Sequence, residues 1–71
     1  MKQIDIQYAI KSAGSSQARI ARELQVSKVT VSYVVAGKTT SRPVASCISR
    51  ITGLSLDTLW PGKYPAQDPQ S

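Results

Sequence analysis

Few side chains in this sequence can do covalent or metal chemistry, and they are scattered. The chain has no histidine and a single cysteine, Cys47, so no imidazole stands ready to take a proton from a thiol or hydroxyl nucleophile. The acids are Asp5, Glu23, Asp57 and Asp68. No two are spaced to share a metal or to work as an acid and base pair, and no glycine-rich phosphate loop lies beside them. An enzyme, a metal site, a cofactor and a small-molecule ligand are therefore not expected. Cys47 falls on the apolar stripe of a helical pattern, where a thiol serves as a small buried hydrophobe.

Recognition of a polyanion is the chemistry that the residues do suggest. The net charge is +5, and its distribution says more than its sum. Between Glu23 and Asp57 there is no acid, while Lys28, Lys38, Arg42 and Arg50 all lie in that interval. A small domain with cations concentrated in one half attracts polyanions, nucleic acid first among them. The bland alternative is a solvated basic surface.

Short helices must position these groups. In the stretch 17–37, Ile20, Ala21 and Leu24 form the apolar stripe of one amphipathic helix, and Val31, Val34 and Val35 repeat that spacing in a second. The link between them is too short to wander, and Ser27 can cap the second helix by accepting a bond from an orphan amide. Helix, tight turn and capped second helix form the layout of a helix-turn-helix unit, whose second helix enters the major groove of DNA. The inward valines leave Ser27, Lys28, Val29, Ser32, Tyr33 and Ala36 on the outer face of the helix 27–36. Lys28 can donate to guanine, Ser32 can donate or accept, and Val29 can meet a thymine methyl group. For Lys28 and Ser32 a plain solvated face is the alternative, and Tyr33 can stack either on DNA or on the protein's own surface. Phosphate contacts should flank this face. Gln17 opens a helix whose amides favour an anion, and Lys38, Thr39, Thr40 and Arg42 follow the second helix in a donor-rich connection.

The remaining periodicity places helices over 5–13, 17–25 and 43–52, with a last short one carrying Leu56, Leu59 and Trp60. Asp5 is read as the cap of the first, either Ser15 or Ser16 as that of the second, Pro43 as a first-turn residue of the fourth and Ser55 as the cap of the fifth. The helix 27–36 is rich in valine and on propensity alone reads equally well as a strand; its two caps and its packing face decide for helix. The expected fold class is all-α, a bundle of about five short helices. Its 71 residues make one domain, assigned to 1–61 with a flexible tail over 62–71, and such a chain buries only about 60% of its unfolded surface. No apolar run approaches the ~20 residues needed to span a bilayer, and the start lacks the apolar segment of a signal peptide. With one cysteine the expected setting is the cytoplasm.

At Gln17, Ala21, Val26, Ser27, Val31 and Val34 the sequence resembles the lambda repressor and Cro type of helix-turn-helix protein, over roughly residues 6 to 61. Gln25 stands where most members carry a turn glycine. Leu56-Asp57-Thr58-Leu59-Trp60-Pro61-Gly62-Lys63-Tyr64 is similar, in addition, to the tail of the Ner-type regulators of transposable phages. The resemblance implies a sequence-specific double-stranded DNA-binding regulator of phage or prophage type, a repressor that occludes a promoter. A helical protein-interaction module of antitoxin or adaptor type is the alternative from another class, and the DNA-binding part of a recombinase a third. Leu56, Leu59 and Trp60 are needed for the monomer's own core, so self-association is expected only side by side on DNA.

Overall fold

In a computed structural model, which describes residues 1–64, the chain forms α1 (Gln3–Ser12), α2 (Gln17–Leu24), α3 (Lys28–Ala36), α4 (Arg42–Thr52) and α5 (Leu56–Leu59). No strand occurs among the described residues. The fold is an all-α bundle in which α2 pairs most extensively with α3, and α4 touches every other helix.

The helix limits follow from which side chains meet the orphan amides and carbonyls of the ends. Helix α1 starts at Gln3, two residues before the expected Asp5, because Asp5 is not its cap. Its carboxylate reaches back from the first turn to accept the Lys2 amide at 3.3 Å, a place where negative charge also suits the helix dipole. For α2 it is Ser16 that caps, its Oγ accepting the Arg19 amide at 3.1 Å. The helix stops at Leu24, one residue short of expectation, because Gln25 turns left-handed at φ 58°, ψ 43°. The Val26 amide then closes back onto the Ala21 carbonyl at 3.0 Å, as a left-handed C-terminal cap requires. Gln25 is the one non-glycine residue with positive φ among those described.

Helix α3 carries five β-branched residues, Val29, Thr30, Val31, Val34 and Val35, in a length of nine. Its ends hold it against that propensity. Ser27 Oγ accepts the Thr30 amide at 3.1 Å, Gly37 is left-handed at φ 78°, and the Lys38 amide returns to the Tyr33 carbonyl at 3.0 Å. Packing does the rest: Val31, Val34 and Val35 are buried completely or nearly so, and each fully buried aliphatic side chain contributes about 1.5 to 3 kcal/mol. Helix α4 begins at Arg42, one residue earlier than expected, with Pro43 in the first turn where no amide is needed.

One core gathers Ile6 and Ile10 from α1, Ile20 and Ala21 from α2, the α3 valines, Val44, Ala45, Cys47 and Ile48 from α4, and Leu59 from α5. Trp60 and Tyr64 close it. Trp60 lies beyond the last helical residue, not within α5. Its Nε1 donates to the Val35 carbonyl at 3.2 Å, an acceptor left over at the end of α3. Tyr64 packs on Trp60 with ring centroids 5.4 Å apart, and its hydroxyl accepts the Ser41 amide at 3.2 Å. The packed body therefore runs past the expected boundary at residue 61 as far as Tyr64, which is 7% exposed. Residues 65–71 of the expected tail, Asp68 among them, lie outside the described residues. Among those described, no helix is long and apolar enough to cross a membrane.

Candidate nucleic-acid interface

At 100° per residue, burying Val31, Val34 and Val35 turns Val29, Ser32, Tyr33 and Ala36 to the opposite side of α3. The exposures agree: Val29 is 57% and Tyr33 50% accessible, while Ser32 and Ala36, which carry small side chains, are half-buried. An exposed valine beside an exposed tyrosine is a poor surface for water alone. Lys28 is exposed at the first position of α3, on the edge of this stripe.

The hydroxyl of Ser27 is already engaged. Besides accepting the Thr30 amide, its Oγ lies 2.8 Å from Thr30 Oγ1, so Ser27 fixes the start of α3 and is less free to reach a ligand than Lys28 or Ser32. Thr30, absent from the expected site, is its partner in that cap. Tyr33 does not turn inward to the core; Lys38 Nζ stands 5.8 Å from its ring centroid, within range of a cation–π attraction. The cation and the exposed ring thus form one unit at the C-terminal end of the stripe.

The groups expected to meet phosphates lie at the start of α2 and in and after the connection that follows α3. Gln17 is half-buried at the first position of α2, whose amides form the positive end of the helix dipole. A shallow hollow of about 370 Å³ runs beside it, lined by Gln7, Ile10, Lys11, Ser15, Ser16 and Gln17. Lys11 thereby joins the Gln17 region, a proximity created by the α1–α2 turn that residue spacing does not announce. Lys38, Thr39, Thr40 and Arg42 are all exposed in and after the connection that follows α3. That connection is anchored by the Tyr64 hydroxyl at the Ser41 amide.

Cys47, on α4, is buried. Burial pushes its thiol above the ordinary value, the Glu23 carboxylate adds to that push, and Arg50 opposes it. A thiol held protonated in this way is a weak nucleophile. Among the described residues no three metal-ligating side chains come together.

A second surface stands away from α3. Ile4 and Tyr8, one turn apart on α1, are 70% and 72% exposed, with Met1 41% exposed beside them. Met1 and Tyr8, but not Ile4, border an open groove of about 570 Å³ lined also by Asp5, Ala9, Ser12, Ala13, Thr52 and Leu54. No residue of α3 lines it.

Comparison with protein-family models, with characterised proteins and with solved structures finds no match to this chain.

Proposed function

We propose that the protein is a sequence-specific double-stranded DNA-binding transcriptional regulator that acts in the cytoplasm without cofactor or catalytic step. In this reading α2, the turn at 25–27 and α3 form a helix-turn-helix unit of the lambda repressor and Cro type. Helix α3 enters the major groove, with Lys28, Val29, Ser32 and Tyr33 toward the base edges. Gln17, Lys38, Thr39 and Arg42 hold the phosphates on either side. Ser27 acts by setting where α3 begins.

The observation that carries this reading is the outer stripe of α3, apolar and polar in alternation, with Val29 and Tyr33 exposed, Ser32 and Ala36 half-buried, Lys28 exposed at its start and Lys38 beside the Tyr33 ring at its end. A protein core has no use for such a face. The sequence likeness to Ner-type phage regulators supports the repressor role, exercised by occluding a promoter. One helix in one groove reads only a few base pairs, so two copies side by side on DNA would supply the specificity.

Selection of bound sites from a random duplex library tests the reading. The parent should yield a defined motif, and the double variant Lys28→Ala with Ser32→Ala should lose it while keeping its helical content, at about 1 to 3 kcal/mol per good base contact. A double variant that still selects the same motif would remove α3 as the reader.

A helical protein-interaction module is the second reading, and the exposed Met1 and Tyr8 that line the α1 groove, with Ile4 exposed one turn before Tyr8, favour it. Salt separates the two. A phosphate-dominated complex weakens steeply as salt rises, whereas an apolar groove does not.

A further inference from the structure

We propose that Lys63 is a further phosphate-contacting residue and that the Trp60–Tyr64 aromatic pair is the device that positions it; this inference rests on the DNA-binding reading above. Lys63 is distant in sequence from the other basic residues of that site, and only the fold brings it there. After α5 the chain reverses at Pro61 and Gly62, where Gly62 takes the left-handed φ of 75° and the Lys63 amide returns to the Trp60 carbonyl at 3.1 Å. Tyr64 then drops into the core against Trp60.

Two contacts fix where this reversal lies. Tyr64 accepts the Ser41 amide at 3.2 Å, one residue before Arg42. On the other side of Lys63, Trp60 donates to the Val35 carbonyl at 3.2 Å, three residues before Lys38. Lys63 is thus pinned between the end of α3 and the start of α4. Its stem crosses Gly37, since a Cβ placed on that glycine would stand 3.7 Å from Lys63 Cε. The side chain is nevertheless exposed. A lysine whose methylenes lie on the protein while its ammonium stays in water offers a charge with limited freedom. Lys63 Cε lies against Gly37, the residue that precedes Lys38 and opens the connection to α4.

A purely structural role is the rival: a cation near the C-terminus of α3 also complements the helix dipole. The two differ in what they move. A phosphate contact steepens the salt dependence of DNA binding by about 0.9 in the logarithmic slope, whereas a dipole partner changes only stability.

The experiment measures duplex binding against salt for the parent, Lys63→Gln and Tyr64→Phe, on the selected site and on random sequence, with circular dichroism and thermal melting alongside. Lys63→Gln should weaken both duplexes by the same factor and flatten the slope by about one unit. Tyr64→Phe keeps the ring and removes the acceptor for Ser41, so it should weaken both duplexes with helical content retained. A parent slope in Lys63→Gln overturns the contact, as does a loss confined to the selected site. Parent affinity in Tyr64→Phe overturns the positioning role. If the parent shows no salt-dependent duplex binding, the DNA-binding reading falls and this inference with it; if the parent binds and Lys63→Gln is silent, only this inference falls.

Discussion

Replacing Gln25 with glycine should make the protein more stable, and the sign of that effect follows from one pair of backbone angles. Gln25 sits at φ 58°, ψ 43°, where the Cβ of an L-residue crowds its own carbonyl at about 1 to 2 kcal/mol. Glycine has no such penalty, although it gives the unfolded chain more freedom to lose, an opposing term of about 0.4 to 1 kcal/mol. The balance runs from about 0 to 1.6 kcal/mol and centres on a gain of about 0.8 kcal/mol, or a rise in Tm of about 3 to 6 °C for a domain of this size. Little is forfeited with the side chain, because Gln25 is exposed. Thermal melting of Gln25→Gly against the parent measures the effect. Gln25→Ala is the control: alanine keeps the Cβ, so it should melt near the parent. A glycine variant that melts at or below the parent, or an alanine variant that matches glycine, would show that the turn at 25–27 is not held left-handed at this residue.

Trp60→Phe should destabilise by about 1 to 3 kcal/mol, as urea unfolding would register, because phenylalanine leaves the Val35 carbonyl without its buried donor. Cys47 keeps its proton in the folded chain at a pH where the unfolded chain begins to lose it, so stability should be unaffected below about pH 8 and fall as pH rises past the ordinary thiol value of about 8.5. That fall, followed by urea midpoints, should shrink in Cys47→Ala. Arg42→Ala should weaken specific and random duplex alike and flatten the salt slope by about one unit, an unchanged slope excluding Arg42 from the phosphate set. Free protein at micromolar concentration should sediment as a monomer, since Leu59 and Trp60 are spent on the monomer's own core and little of α5 is left to supply the ~1,000 Å² of a stable interface.

What could be read from the sequence was local. The caps Ser27 and Gly37 lie at the two ends of α3, and the inward valines between them define the outer stripe by subtraction, so both helix and candidate reading face are readable despite a composition that suits a strand. Asp5 misleads for an equally local reason. An acid near a helix start can cap it or sit in its first turn, and only the Lys2 amide accepted by its carboxylate decides for the second. The turn at Gln25 keeps a left-handed cap without glycine, and it is this left-handed residue that ends α2 at Leu24.

The C-terminal segment shows where such reading stops. Pro61 and Gly62 mark the end of a helix equally well whether the chain then leaves the protein or folds back onto it. Trp60 and Tyr64 meet only once the chain has reversed, and their polar partners, Val35 and Ser41, are 25 and 23 residues away and have no local signature. Those partners are a carbonyl at the end of α3 and an amide at the entrance to α4, both groups that a helix leaves unmet. The same two hydrogen bonds therefore satisfy the backbone on either side of the connection 37–41 and hold it against the core. Helix α3 is fixed before its first residue by the turn and the Ser27 cap, and at its penultimate residue, Val35, by Trp60. Its outer face is presented at an angle that neither the stripe nor the charges alone determine, and the short segment beyond α5 belongs to the same structural unit as the face it supports.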